Sequence, residues 1–547
     1  MNDMYISLLY PTAEAEAEHY ARGERVADEE VCRQLGLSAL LGLRRGSPAL
    51  FFSLDPTVLT FRQRMLADLA AVPAAGEALR EVTPMLSDIL ELRRLDERTT
   101  RDGDAVTLYG MTEIELYVSV VSTLRERLEP LAPALTSEAF GRLVAFVLAA
   151  SESEYFLELK AALAKLTSRM LEVRSLTVGV NLDAQLRPTD AGIVSVNAER
   201  YHAGTTLDKI LRMSFKPDGM TCVASLAALG KPGADERRDN LSRAVLDALA
   251  DVFKSSVRGW QNVARRYVLE NTDALLRILP EIEFAERAAA LERALGERGC
   301  PLSAPVFRPM GEKALSAKGL CNPDIVLRGE GTVVRNDFAF DDEARIYVIT
   351  GPNRGGKSVC TVAVGLAQAM AQLGMRVAAE SCEISPVDRI LIHFPQGAED
   401  TIDKGRLGEE CARLREMMEE LSPDSLLLLD ESLSSTGAYE AAYIAADILL
   451  GFGRAGCRCV FSTHLHELAA RAPALSAASK EAGGVGIDTL VAEVEPDGTR
   501  TFRVTRGRPD GKSYARDVAA RYGLGDEQIN DLLRHIKDAK QTPDVTV

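Results

Sequence analysis

The sequence has few of the features that mark secreted, membrane-spanning or zinc-binding proteins. Its nine cysteines are an odd number and include no CxxC pair, which argues against a disulfide framework and against a thiolate zinc site. The N-terminal MNDMYISLLY lacks the basic region of a signal peptide, and apolar runs such as 143–150 are far shorter than the ~20 residues that span a bilayer. We therefore expect a cytoplasmic protein that makes no membrane contact.

Positive charge is also scarce. The chain carries 64 Lys and Arg residues against 80 Asp and Glu residues, a formal net charge of −16, which disfavours non-specific adhesion to nucleic acid through overall charge. The net charge does not exclude a local basic surface that binds nucleic acid. Hydrophobic residues make up 46% of the 547 residues, a globular composition, and this length predicts about two to four domains.

The sequence pattern changes along the chain. From about 65 to 300 apolar residues recur at helical spacing, and one stripe runs from Arg237 towards Pro280, which indicates a lever, a coiled-coil arm or two helices. Two β-branched runs at 175–197 predict a small strand pair. A linker is expected at 301–323, after which apolar strands at 345–351, 389–394, 425–431 and 459–464 alternate with helical segments, as in an α/β sheet covered on both faces.

The strongest motif is GPNRGGKS, which follows an apolar strand and precedes an apolar helix. It has the spacing of a phosphate-binding P-loop, in which backbone N–H groups and a helix N-terminus face phosphate oxygens. Lys357 would reach the β- and γ-phosphates of ATP, and Ser358 would ligate Mg²⁺. The predicted nucleotide-binding residues are Gly351, Pro352, Asn353, Arg354, Gly355, Gly356, Lys357, Ser358 and Val359.

Two further strands end in residues suited to phosphoryl transfer. The strand SLLLLDE ends in Asp430, placed to hold Mg²⁺, and Glu431, placed to orient the attacking water. The strand CVFSTH ends in Thr463 and His464, and His464 is predicted to sense the γ-phosphate. An HxH pair with His466 suggests metal only weakly, because no third ligand is nearby in the sequence. Glu431, Lys357 and His464 are therefore the predicted catalytic residues.

These motifs and their order resemble the ATPase domain of the MutS family over about 321–535. The other segments that carry the resemblance are ESCEISPVDRI (380–390), GAEDTIDKGR (397–406), DESLSST (430–436), STHLHEL (462–468) and GKSYARDVAARYGL (511–524). DPTVLTFRQRMLADL (55–69) is similar to the start of the family's core domain. The resemblance implies a P-loop ATPase of the ABC type, preceded by a mainly α-helical core and lever region with a small β insert.

The same resemblance implies three regions. They are 1–100, an N-terminal segment and the start of the helical core; 101–315, the core and lever region; and 316–547, an ATPase domain that ends in a helix-turn-helix around Lys512, Ser513 and Tyr514. It also implies a homodimer formed through the ATPase domains, which clamps on mismatched, branched or otherwise irregular DNA.

Two departures from the family pattern limit this expectation. In the family, the Gly-Arg that ends the segment corresponding to 397–406 is typically followed by a Ser-Thr pair, which contacts the nucleotide of the partner subunit. Here Gly405 and Arg406 are followed by Leu407 and Gly408. The Phe-x-Glu wedge of mismatch readers is absent from the first 150 residues, and the one at Phe156 lies in a helical pattern that indicates a core position. We expect a reduced member that lacks the mismatch-recognition domain.

The sequence leaves two functions open. The first is a Mg²⁺-dependent ATPase in DNA repair or recombination that holds DNA mainly by its backbone, with a repair protein as a further candidate partner. The second is a nucleotide-switched scaffold or chromosome-associated protein with slow turnover that binds a protein partner. A transporter ATPase is disfavoured, since no LSGGQ-type signature lies between the P-loop and Asp430. Basic residues such as Lys160 and Lys254 could form a DNA-facing strip, although solvated helix faces give the same pattern more often.

Overall fold

The computed structural model describes residues 5–22, 26–99, 108–170, 175–185, 188–197, 202–203, 221–222, 270–329, 333–394, 405–495, 499–508, 523 and 528–534. By contacts the chain divides into two units, Met1–Leu8 with Ala71–Ile282 and Leu9–Ala70 with Glu283–Val547. Among the described residues, none of the helices combines the length and apolar character needed to cross a membrane.

The α-helices, in chain order, are α1 (Ala13–Arg22), α2 (Glu29–Gln34), α3 (Leu37–Leu41), α4 (Pro56–Ala71), α5 (Pro73–Thr99), α6 (Leu108–Leu128), α7 (Glu138–Glu152), α8 (Glu154–Met170), α9 (Glu270–Arg277), α10 (Leu279–Glu297), α11 (Pro323–Arg328), α12 (Lys357–Gln372), α13 (Gly405–Glu420), α14 (Ala438–Ala455) and α15 (His466–Glu481). Short 3₁₀ helices lie at Pro48–Phe51, Glu129–Ala134 and Met310–Glu312.

The strands are β1 (Ser175–Leu182), β2 (Pro188–Asn197), β3 (His202–Ala203), β4 (Thr221–Cys222), β5 (Val306–Phe307), β6 (Leu315–Leu320), β7 (Asn336–Phe340), β8 (Ile346–Thr350), β9 (Ser381–Ile384), β10 (Ile390–His393), β11 (Leu426–Asp430), β12 (Arg458–Ser462), β13 (Ile487–Val494) and β14 (Arg500–Arg506).

The described part of the first unit is mainly helical, as the apolar spacing predicts. The Phe156 ring of α8 is buried with its centroid 6.1 Å from that of Tyr117 on α6. Phe156 is thus a core residue, as predicted. The predicted strand pair at 175–197 is confirmed, because β1 and β2 form an antiparallel hairpin. The predicted long helix towards Pro280 lies largely outside the described residues, and its described part includes α9.

The second unit contains a six-stranded sheet in the order β10-β11-β12-β8-β13-β14. Neighbouring strands from β10 to β13 are parallel, and β14 is an antiparallel edge. The four strands predicted from the sequence after residue 345 are β8, β10, β11 and β12. A second sheet, in the order β5-β9-β6-β7, belongs to the same unit.

Helices cover the six-stranded sheet on both faces, as predicted. Because successive side chains of a strand point to opposite faces, β11 serves both layers. Leu427 and Leu429 pack in a cluster with residues of α14 and α15. Leu428 faces α12 closely at Gly365, where an added Cβ would clash with Leu428 Cδ1. The absence of a side chain at Gly365 therefore lets the helix that follows the glycine-rich loop lie against the sheet.

The segment Leu9–Ala70 packs onto the same unit near α12. Ser53 N–H donates to the Gln372 carbonyl over 2.9 Å, and Gln372 Nε2 donates to the Ser53 carbonyl over 3.3 Å. The fully buried Arg62 guanidinium donates to the carbonyls of Leu9, over 3.1 Å, and Phe51. The bonds between Ser53 and Gln372 tie the early part of the chain to the end of α12, and those of Arg62 hold the early segment together. The predicted domain boundaries, which rest on the family resemblance, stay a prediction.

Candidate active site

The glycine-rich segment 351–358 forms the turn between β8 and α12. Gly351 has a φ of +137° and Gly356, the N-cap of α12, a φ of +95°, backbone conformations that L side chains rarely adopt. A Cβ at Gly351 would also lie 2.9 Å from Ala492 Cβ. The glycines let the backbone curl round the N-terminus of a 16-residue helix, whose unpaired N–H groups favour an anion.

Lys357, the first residue of α12, is buried beside this turn. Its Nζ donates to the carbonyls of Gly351, over 3.1 Å, and Pro352, over 3.2 Å. Burial lowers the pKa of Lys357, whereas the carboxylates of Glu431 and Asp430 favour its charged form. A buried cation that bonds to backbone carbonyls of its own loop is well placed to exchange them for phosphate oxygens.

Asp430 meets Ser358 at the carboxyl edge of the sheet. The Ser358 hydroxyl donates to Asp430 Oδ1 over 2.9 Å. The hydroxyl of Ser462, which lies opposite Asp430 in the β11–β12 register, donates to the same oxygen. Burial raises the pKa of Asp430, while these two hydrogen bonds hold it down. The carboxylate and the Ser358 hydroxyl are hard oxygen donors of the type that Mg²⁺ takes, so this pair fits the ion predicted for it.

Glu431 follows in a strained turn. Its φ is +45°, and Leu433 two residues later has a φ of +65°, both uncommon for residues with side chains. The Glu431 N–H donates to the Ser462 carbonyl over 2.8 Å, and Ser432 is fixed by its hydroxyl, 2.7 Å from His393 Nδ1. These bonds from two neighbouring strands hold the turn that aims the half-buried Glu431.

The two histidines after β12 differ in their surroundings. Both rings are exposed, and His464 lies two residues after the end of β12. His466 Nδ1 lies 3.1 Å from the hydroxyl of Thr350, the residue before the glycine-rich turn. Desolvation, Lys357 and His464 together lower the pKa of His466, which favours the neutral ring. The sequence prediction assigned His464 and passed over His466, whose contact depends on how two parallel strands end side by side.

A cavity of about 330 Å³ adjoins the N-terminal turn of α12. Its lining is mostly apolar, with two asparagines, and consists of Leu320, Cys321, Asn322, Ile325, Val333, Val334, Asn336, Gly356, Val359, Cys360, Ala363 and Phe502. The Asn336 side chain donates to the Phe502 carbonyl over 3.2 Å and accepts from Val504 N–H over 2.8 Å. Phe502 is thereby held at the cavity wall in a left-handed conformation, with a φ of +58°.

Most predicted site residues are therefore gathered in one place. Gly351 to Ser358 form the turn, Val359 lines the cavity, and Asp430 bonds to Ser358. The sequence prediction missed Ser462 and the cavity, because their residues lie far apart in the chain and carry no local motif. Lys512, Ser513 and Tyr514 lie outside the described residues, as do Lys254 and most of the loop before Gly405.

The start of α13 bears on the predicted contact with a partner's nucleotide. Leu407 packs partly buried against the cluster formed by β8, β11 and β12 with α14 and α15. Leu407 thus contributes to packing within its own unit, and the loss of the contact with a partner's nucleotide stays a prediction.

Two family models match the chain. Residues 347–537 match MutS domain V, and residues 54–260 match the MutS2 N-terminal domain. The first match contains the glycine-rich turn, the acidic pair and both histidines, and the second covers much of the helical unit.

Curated relatives agree with these matches. The chain is 33% identical over 263 residues to an endonuclease MutS2 of Thermus thermophilus, which covers 48% of this chain and 32% of the relative. It is 29% identical over 510 residues to a DNA mismatch repair protein MutS of Chloroflexus aurantiacus, a match that covers 87% of this chain and 45% of the relative. A DNA mismatch repair protein MSH6 of Arabidopsis thaliana is 35% identical over 225 residues, which cover 40% of this chain and 16% of that relative. In each pair the chain spans less than half of the relative's length.

Proposed function

Because the chain belongs to the MutS family, we propose that it is a Mg²⁺-dependent ATPase that binds irregular DNA as a homodimer and couples nucleotide turnover to opening of its helical region. The observation that carries the ATPase assignment is the cluster of Lys357, Ser358, Asp430 and Glu431 around one helix N-terminus. DNA repair or recombination in the cytoplasm is the setting that the family suggests.

The nucleotide would lie with its phosphates in the turn 351–358 and its base in the cavity beside it. The cavity begins at Gly356, so a phosphate chain and a base bound at the two places can belong to one molecule. Its apolar lining suits a planar ring, and Phe502, 46% exposed, offers a face on which the base can stack. Asn322 and Asn336 are the polar groups that would orient it.

Phosphoryl transfer asks the protein for positioning and charge stabilisation. Lys357 would leave the Gly351 and Pro352 carbonyls and neutralise charge on the β- and γ-phosphates. Glu431, held in its strained turn by the Ser462 carbonyl, would orient the attacking water by accepting its hydrogen bond. Ser358 and Asp430 would hold Mg²⁺, which supplies charge neutralisation between the phosphates when bound. His464 would sense the γ-phosphate from the end of β12.

Phosphate release by the full chain tests this proposal. We expect Mg²⁺-dependent ATP hydrolysis that Lys357→Ala abolishes, and salt-dependent binding to at least one of homoduplex, mismatched, branched and single-stranded DNA. Light scattering with and without ATP tests the homodimer. If the wild type does not hydrolyse ATP, or if Lys357→Ala hydrolyses it at the wild-type rate, the proposed ATPase activity is wrong. If none of these DNAs binds to the chain or changes its ATPase rate at low salt, the proposal that DNA is the partner is wrong.

A second candidate function is a nucleotide-switched scaffold with slow turnover. The packing of Leu407 in its own unit favours it, because a site that lacks a contribution from the partner molecule would hydrolyse ATP slowly. A protein partner retained by the ATP-bound Glu431→Gln variant and released by Lys357→Ala, with no DNA bound by either, would support the scaffold against the DNA clamp.

A further inference from the structure

Two cysteines that are far from the phosphate-binding turn in sequence lie in direct contact within the second unit. Cys300 follows the end of α10 and Cys321 follows β6, and their Sγ atoms are 3.3 Å apart. The backbone holds both residues in place, since Cys300 N–H donates to the Leu295 carbonyl over 3.1 Å and Cys321 N–H to the Ala378 carbonyl over 3.0 Å. The contact thus joins two fixed points of the fold.

From this contact we infer that Cys300 and Cys321 form a redox-modification site, which a hydroperoxide converts into an internal disulfide. A disulfide needs its sulfur atoms about 2.0 Å apart, so a small movement of the two side chains suffices. The inference does not depend on the proposed ATPase function.

The surroundings distinguish the two sulfurs. Cys300 is 9% exposed and Cys321 only 2% exposed, so Cys300 is the one that a small oxidant reaches first. A hydrogen bond from the Cys321 thiol lowers the pKa of Cys300, and the nearby Arg335 guanidinium lowers it further. Arg335 is held there by donating to the Gly299 carbonyl over 3.2 Å. The hydrogen bond and burial raise the pKa of Cys321. Cys300 is therefore the nucleophile and Cys321 the resolving thiol.

The reaction balances with one peroxide. The Cys300 thiolate attacks a peroxide oxygen, the O–O bond breaks, and the leaving hydroxide takes up the Cys300 proton as water while a sulfenic acid forms. The Cys321 sulfur then attacks Cys300 Sγ and displaces hydroxide, which leaves as water with the Cys321 proton. Two thiol sulfurs are oxidised to the disulfide and hydrogen peroxide is reduced to two waters.

The position of the pair gives the bond a structural consequence. Cys321 lines the 330 Å³ cavity, and its neighbour Asn322 caps α11 by accepting from Asp324 N–H over 2.9 Å. A bond between Cys300 and Cys321 ties this cavity wall covalently to the end of α10.

Peptide mapping of the native full chain tests the site. The reduced protein is exposed to hydrogen peroxide, denatured in iodoacetamide and digested with trypsin. We expect residues 299–313 and 319–328 to appear as one linked species, lighter than the two peptides by two hydrogens and separated by dithiothreitol. Cys411 on α13, which is more exposed than either member of the pair, reports the background rate. The link should form at least tenfold faster than Cys411 is lost.

Matched variants assign the bond. Cys300→Ala and Cys321→Ala should each abolish the linked species, whereas Cys382→Ala, at another buried cysteine, should leave it unchanged. The inference is overturned if the wild-type protein yields both peptides alkylated, if Cys300 oxidises without linking, or if the linked species occurs only in covalent dimers on a non-reducing gel. The wild-type result decides the matter even where a variant folds poorly.

Discussion

Ser462→Ala removes one of the two hydroxyls that bond to the Asp430 carboxylate. Asp430 lies half-buried at the end of β11, and burial already raises its pKa. A hydrogen bond to a charged group contributes about 1.5–3 kcal/mol. The pKa of Asp430 should therefore rise further when the Ser462 hydroxyl is lost, since that hydrogen bond favours the charged form. A carboxylate that is held less firmly and protonates more readily is a poorer Mg²⁺ ligand.

The assay is the ATPase rate as a function of free Mg²⁺ at fixed ATP. For Ser462→Ala we expect the Mg²⁺ concentration for half-maximal rate to rise roughly 10- to 100-fold, the factor that corresponds to the lost hydrogen bond. The maximal rate at saturating Mg²⁺ should fall much less, because Lys357 and Glu431 are unchanged. The effect should grow as the pH is lowered, because protonation of Asp430 competes with Mg²⁺ binding.

Ser425→Ala is a matched control. Ser425 precedes the same strand at its other end, is equally buried, and donates to the carboxylate of Asp388 over 2.9 Å. The same type of bond is lost far from the turn 351–358, so the Mg²⁺ requirement should not change. An unchanged Mg²⁺ requirement in folded Ser462→Ala, or an equal change in Ser425→Ala, would refute the role assigned to Asp430.

Two further predictions concern His393 and Phe502. Burial lowers the pKa of His393 to about 4, with Arg413 contributing, so the unfolded chain gains a proton near pH 6.5 that the folded chain does not. Stability is then lost as pH falls from about 6.5 towards 4, by about 2 kcal/mol at pH 5, and His393→Asn should show a smaller drop in thermal midpoint between pH 8 and pH 5; equal drops would contradict this. Phe502→Ala should weaken ATP binding roughly tenfold in a direct binding assay while inorganic triphosphate binds as before, and equal losses for both would argue against a base in the cavity.

The parts of the site that the sequence predicts are those encoded in one short segment. The turn 351–358 can be predicted because three glycines, a lysine and a serine occur at fixed spacing between an apolar strand and an apolar helix. Asp430 and Glu431 are found because they end a continuous apolar strand. Each of these signals depends only on neighbours in the chain.

The parts that the sequence does not predict arise from parallel strands that end together. Ser462 contacts Asp430 because the two residues lie opposite each other in the β11–β12 register. This pairing cannot be predicted from a single serine in the segment STHLHEL. The cavity brings together Asn336, Val359 and Phe502 from three separate stretches of chain. The left-handed backbone at Glu431 and Phe502 falls on residues with side chains, so no glycine marks these turns.

In the proposed mechanism Glu431 orients the attacking water beside the turn 351–358, and this role can be tested directly. The decisive measurement compares ATP binding and single-turnover hydrolysis in the wild type, Glu431→Gln and the control Glu440→Gln, whose carboxylate is exposed and accepts from Thr436. We predict that Glu431→Gln binds ATP within a few-fold of wild type yet hydrolyses it about 100-fold or more slowly, while Glu440→Gln behaves as wild type. Hydrolysis by Glu431→Gln at the wild-type rate would contradict the role of Glu431 in orienting the attacking water.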